Sequence, residues 1–171
     1  MPRQKGFSLI ELLIVVAIIL VIAAIAIPNL MRARMAANDS SAAGSMHAIS
    51  AAEVGYYGSY QNIGFPLTLA PLGGAAPCVP SPATACFLDN NVATNGGGNG
   101  KSGYSFAATG SATANSPNNN QFYATASPNS NLTGTRSMCA TEDMVVRLQP
   151  AGNITTVLGY APCLALAPMN N

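Results

Sequence analysis

From Phe7 to Ile27 the chain runs 21 residues with only two polar side chains, Ser8 and Glu11. As a helix at about 1.5 Å per residue this run is roughly 31 Å long, the thickness of a bilayer's hydrocarbon core. A charge at a helix centre in lipid costs on the order of 2.5–3.5 kcal/mol even on lenient insertion scales; Glu11 lies nearer an edge, where snorkelling lowers the cost. An ionisable residue inside such a run is by default a functional site with a partner to be named. Two plainer readings compete. One is a single-span anchor that tolerates a Glu near the interface. The other is an ordinary secretory signal peptide, because Ala24-Ile25-Ala26 mimics a small-x-small cleavage site. The run, however, exceeds the usual apolar region of about 7–15 residues, and Glu11 interrupts it.

Just upstream lies MPRQKG, a leader that carries Arg3 and Lys5 and ends at Gly6. A basic leader, the Gly6-Phe7 junction, a lone Glu11 five residues past Gly6, an unbroken apolar run and Pro28 form a specific combination. It resembles the class III signal and N-terminal helix of type IV pilins and of their relatives, the pseudopilins of type II secretion. The likeness covers about the first 60 residues; beyond them it is one of layout.

The resemblance implies that a membrane peptidase cuts after Gly6 and methylates the new amino terminus, Phe7. It implies that Glu11 pairs with the terminal amine of a neighbouring subunit during filament assembly. Physical chemistry supports that role, since a carboxylate buried among apolar helices needs a cation. Within one helix the amine and Glu11 do not easily meet, so a staggered neighbour is the better partner. The implied partners are further copies of this chain in a helical filament, the prepilin peptidase/N-methyltransferase and the pilus assembly machinery of the inner membrane. The precursor is expected in the inner membrane, single-pass with its globular domain periplasmic, and the assembled subunit in an extracellular pilus.

With 171 residues, the chain has room for a leader, one long helix and a domain of roughly 100 residues. Charged residues are only 8% and the net charge is +1, which argues against nucleic-acid binding. All four Cys, Cys78, Cys86, Cys139 and Cys163, follow the apolar run, and an even count in an exported domain reads as disulfides. Arg3 and Lys5 favour an internal N-terminus, although Arg32 and Arg34 on the far side weaken the positive-inside count.

Pro28 lacks an N–H for the Ala24 carbonyl, so a kink is expected there. The helical pattern then resumes. Ala42, Met46, Ile49, Ala52 and Tyr56 form one apolar face, and Asp39, Ser40, Ser45 and Glu53 are assigned to the others. Gly55 and Gly58 weaken the helix, which is expected to stop near Tyr60. Residues 61–102 form a long connection rich in Pro and Gly, with one helical turn near Leu67–Leu72. Cys78–Cys86 is the simplest local pairing, but four Cys allow three connectivities. Strand-like runs follow at 103–109, 121–126, 144–149 and 154–158, the last two flanking a PAGN turn as a hairpin. Tyr104 and Phe106 share a face, as do Met144, Val146 and Leu148. A bridge between Cys139 and Cys163 would tie the C-terminal tail to the sheet. The expected fold is α+β and pilin-like: leader 1–6, helix 7–60 with 7–27 in membrane or filament core, an αβ-loop at 61–102, and an antiparallel sheet of about four strands with a C-terminal disulfide loop at 103–171.

Several motifs approach a chemistry and miss it. GGGNGKS at 96–102 has Asn95 where a phosphate loop needs Gly, and precedes a strand-like run. His47 is the sole histidine and reads as a helix-surface or interface residue. Glu142 and Asp143, with Asp89, supply too few oxygens for calcium and read as a solvated strand start. Tyr56, Tyr57, Tyr60 and Phe65 read as helix-to-sheet packing rather than as an electron-conducting stack. Three N-glycosylation sequons, at Asn38, Asn131 and Asn153, are a weak signal in bacteria. No nucleophile–base pair, metal set or cofactor fingerprint appears, so the chain reads as a non-enzyme without a cofactor. The reading is a structural subunit of a type IV pilus. Its alternatives are a type II secretion pseudopilin and, from another class, a monomeric membrane-anchored binding protein. Motility, adhesion, DNA uptake and electron transfer all remain open as uses of the filament.

Overall fold

No glycine or proline interrupts the chain between Leu9 and Ile27, and it forms one 51-residue helix there, α1 (Leu9–Ser59). Pro28 lies inside it, and the helix continues on both sides. A computed structural model describes residues 7–169; the leader 1–6, with the expected cleavage site at Gly6, lies outside the described residues. The chain divides into two compact units, one through Arg34 and one from Met35 onward. In the first, every large apolar side chain from Phe7 to Leu30 is exposed.

In the second unit α1 becomes amphipathic. Ala42, Met46, Ile49, Ala52 and Tyr56 are all buried, as their spacing predicts. Two residues assigned to other faces are buried with them, Ser45 and Glu53. For Glu53 the polarity misled: it follows Ile49 by four residues and precedes Tyr56 by three, so it sits within the stripe. Ser45 turns its hydroxyl back to the Ser41 carbonyl at 3.0 Å, which meets its hydrogen-bonding need within the helix.

The stripe packs in one core with a five-stranded antiparallel sheet of order β1-β2-β3-β4-β5. Its strands are β1 (Tyr104–Ser111), β2 (Gln121–Pro128), β3 (Met138–Thr141), β4 (Arg147–Leu148) and β5 (Ala167–Pro168). Alternation points Tyr104, Phe106 and Ala108 of β1 and Phe122, Ala124 and Ala126 of β2 into the core. β1 and β2 pair from Tyr104↔Pro128 to Ser111↔Gln121.

Here the sheet departs from the sequence reading. β3 was not expected. All four of its residues are buried, because its second face lies under a small cluster of Cys139, Val157, Cys163 and Leu166. A strand covered on both sides shows no alternation to read. The expected hairpin of 144–149 with 154–158 does not form. Pro150-Ala151-Gly152-Asn153 does turn, with the Asn153 N–H donating to the Pro150 carbonyl. Its flanks pair elsewhere: Gln149 N–H donates to the Ser137 carbonyl, Gly152 N–H to that of Thr135, and Ser137 N–H to that of Asn153. β4 is two residues long, and its outer neighbour is β5, where Pro168 is tolerated at a sheet edge.

The 61–102 connection is not bare loop. It holds a 3₁₀ turn at Ala70–Leu72 and the short helix α2 (Asn90–Ala93), and it buries Phe65, Leu69, Leu72, Leu88 and Val92 in the core. Gly64 (φ +82) bridges to Asn119, and a Cβ there would collide with the Asn119 backbone. Gly134 lies against the Tyr104 ring, leaving no room for a Cβ.

Candidate functional site

Among the described residues of the first unit, Ser8 and Glu11 form a polar cluster at the start of α1. Ser8 precedes the first helical residue, and its backbone N–H donates to Glu11 Oε2 at 3.0 Å. Ser8-Leu9-Ile10-Glu11 is thus half of a capping box, in which a carboxylate in the first turn satisfies an amide the helix leaves orphaned. The sequence carries that signature, S-x-x-E before an apolar run. One Glu11 oxygen is engaged one residue from Phe7, and Oε1 has no partner among the described residues. A carboxylate at a helix N-terminus also meets the positive end of the helix dipole. Phe7 is 77% exposed. Among the expected processing and assembly residues, Glu11 thus reaches back to the amide one residue from Phe7, nearer than a single helix was expected to allow, Pro28 is inside α1 further along, and Gly6 is outside the described residues.

In the second unit a different carboxylate anchors the helix to the sheet. Asp39 Oδ1 accepts from the Tyr104 hydroxyl at 2.7 Å and the Thr135 N–H at 3.1 Å, and Oδ2 accepts from the Thr135 hydroxyl. Asn38 Nδ2 donates to the Thr133 carbonyl at 2.8 Å. Burial, and then Asp39, hold the Tyr104 phenol well above the ordinary tyrosine range. The sequence placed Asp39 off the apolar face, and its partners, more than sixty positions away, could not be read locally.

The four cysteines pair as Cys78–Cys86 and Cys139–Cys163, with sequence separations of 8 and 24. The first staples the connection. The second ties the short helix α3 (Tyr160–Leu164) onto β3.

Each acid considered for calcium has a different partner. Asp89 caps α2 by accepting from the Asn91 N–H at 2.7 Å. Tyr160 donates to Glu142, which pushes its phenol up to about 12. Asp143 is paired with Arg147, whose hydrogen bond holds that carboxyl down at about 2. GGGNGKS forms a tight turn at Asn95–Gly98 that leads into β1, and Lys101 Nζ reaches Ser45 Oγ at 3.5 Å. His47 is exposed and lines an open groove of about 490 Å³ that Arg136 also lines. The aromatic residues at the helix end pack in two groups, Tyr56 with Tyr60 at 4.7 Å, and Tyr57 with Phe65 at 4.7 Å and Phe65 with Phe122 at 4.8 Å between ring centroids. The Tyr56 hydroxyl donates to the Pro82 carbonyl at 2.7 Å.

Comparison with known proteins fits the first unit. Residues 1–27 match the family model of the prokaryotic N-terminal methylation motif. The chain is 62% identical over 40 residues to the type IV wide pilus major component PilA4 of Thermus thermophilus, covering 23% of this chain and 30% of that one. It is 45% identical over 56 residues to the type IV major pilin protein PilA of Myxococcus xanthus, covering 33% of this chain and 26% of that one. The chain thus matches less than a third of the length of either curated relative. No solved structure matches it significantly. In its methylation motif and N-terminal helix the chain is thus similar to type IV pilins, and its long helix with an antiparallel sheet gives a pilin-like α+β fold.

Proposed function

We propose that this chain is a structural subunit of a type IV pilus. It is made as an inner-membrane precursor with its globular domain in the periplasm, cut after Gly6, methylated on Phe7 and polymerised through its N-terminal helix. The observation that carries this reading is a membrane-length helix whose large apolar side chains from Phe7 to Leu30 are all exposed, carrying one carboxylate at its start. Such a surface needs a cover, either lipid before assembly or the same helices of other subunits after it. Both curated relatives named above are pilus components, which supports a structural role in a pilus; a type II secretion pseudopilin is the alternative that the test below separates.

Glu11 sets the stagger in this scheme. One oxygen caps its own helix through Ser8, and the other is left for the neighbour's terminal amine. A subunit added out of register would leave that charge unpaired in an apolar filament core, a strong penalty against misassembly. The globular unit faces outward and carries the variable surface, chiefly 61–102 and 110–120.

The test is N-terminal sequencing with mass measurement on sheared surface material and on membranes. A chain starting at methylated Phe7 in the sheared fraction supports the pilus. The same start confined to membranes, with enzyme secretion lost on deletion, supports a type II secretion pseudopilin. A soluble chain starting at Ile27 would mean the apolar run is only a signal peptide.

A further inference from the structure

Glu53 is the anomaly of the globular unit. It lies in the middle of the buried stripe of α1, is 0% exposed, and neither of its carboxyl oxygens has a hydrogen-bond partner among the described residues. A carboxylate so placed has lost its water and gained no donor, whereas the neutral acid suffers only the burial of a polar group. We propose that Glu53 is held in the core as the neutral acid, and that its ionisation at alkaline pH is a switch that loosens α1 from the sheet.

The surrounding groups leave no other way to stabilise a charge there. On its own helix Tyr56 is the titratable neighbour, but its hydroxyl proton is committed to the Pro82 carbonyl, and the Tyr60 ring packs tilted against its ring. From the connection, the Phe87 ring packs over Gly55, and Lys101 is drawn to Ser45, eight residues and about 12 Å back along the helix axis. The charged groups of the sheet side are occupied elsewhere: Arg147 with Asp143, Glu142 with Tyr160, and Tyr104 with Asp39. His47 and Arg136 line the open groove near the other end of the stripe. Burial alone pushes the Glu53 carboxyl up to about 8, with no nearby charge adding to or offsetting it.

The direction of the effect follows. The acid is stronger in the unfolded chain, where it ionises near its ordinary value of about 4.5. Between that value and about 8 the folded unit holds one proton more than the unfolded chain. The stabilisation is therefore complete below about pH 4.5 and is lost as pH rises through about 8, at about tenfold in the folding constant per pH unit.

The full chain in detergent micelles, with both disulfides intact, is unfolded in urea between about pH 5 and pH 9 and followed by near-ultraviolet circular dichroism of its tyrosines. The wild type should lose about tenfold in folding constant per pH unit up to about pH 8. Glu53→Gln, a neutral near-isostere, should remove that slope. Parallel pH profiles for the two proteins would overturn the proposal. Should the buried amide prevent folding, infrared difference spectroscopy on the wild type decides. At about pH 7, where exposed carboxylates are ionised, the carbonyl band of a protonated acid should be present, and it should vanish above about pH 9. Absence of that band at about pH 7 would equally overturn it.

Discussion

Asp39→Ala tests how the helix is held on the sheet. Asp39 accepts from three donors on two segments far along the chain, the Tyr104 hydroxyl, the Thr135 N–H and the Thr135 hydroxyl. Tyr104 is fully buried and keeps a second acceptor, the Arg136 carbonyl at 2.9 Å, so its hydroxyl survives the change. The Thr135 N–H does not; it loses its one acceptor in a half-buried place. A hydrogen bond to a charged group is worth about 1.5–3 kcal/mol net, and stranding a buried donor costs about 1–3 kcal/mol. The three bonds share one carboxylate and do not add in full, so Asp39→Ala should cost about 2–4 kcal/mol, a large fraction of the 5–15 kcal/mol typical of a domain, as a rough guide. Asp39→Asn keeps an acceptor for Thr135 and should cost about half as much. Urea unfolding of the full chain in micelles measures this as a lower midpoint at unchanged slope. The double variant Asp39→Ala with Tyr104→Phe should cost less than the sum of the singles, because both remove one bond. Asp39→Ala within about 0.5 kcal/mol of the parent would refute the reasoning, by showing that water replaces the carboxylate at no cost.

Glu11→Ala should leave membrane insertion intact and block or slow incorporation into filaments; normal piliation in that strain would count against register-setting by this residue. The Asp143–Arg147 pair gives the opposite pH limb from Glu53. Its carboxyl is lowered to about 2, so its contribution is present above the ordinary aspartate value of about 4 and is lost as pH falls through about 2. Asp143 is partly exposed, so the effect should be small and should shrink in high salt; Arg147→Gln should abolish it in acid unfolding curves. Replacing Cys139 and Cys163 with Ser opens a loop of separation 24, for which the chain-entropy estimate is about 3.5 kcal/mol, against about 2.5 kcal/mol for Cys78 and Cys86 with separation 8. A denaturant midpoint that falls more for the second pair than for the first would contradict that ordering. Gly134→Ala should destabilise by about 1–3 kcal/mol, since a methyl there meets the Tyr104 ring; a thermal midpoint equal to wild type would show that the ring can shift freely.

The first sixty residues were legible because their signals are local. An apolar run, one carboxylate, a Gly-Phe junction and a 3.6-residue stripe each depend on neighbours a turn or two away. The buried set Ala42, Met46, Ile49, Ala52 and Tyr56 followed from spacing alone. So did the shared inward face of Tyr104 and Phe106 on β1, a strand whose burial alternates. Even the misplaced Glu53 had the right spacing, and only its chemistry argued against burial. Tertiary structure decided the rest. Met138–Thr141 became a strand because α3 and the Cys139–Cys163 bridge cover its outer face, which removes the alternation a strand shows when one side is wet. Residues 149–153 form the turn, closed by Asn153 N–H on the Pro150 carbonyl, but their other hydrogen bonds go to 135–137 rather than across the expected hairpin. Asp39 found its partners on β1 and at Thr135 only when the sheet was laid on the helix. Local periodicity fixes which residues face inward. Which segment they meet there is set by pairing between distant parts of the chain, whose free energy no window of sequence contains.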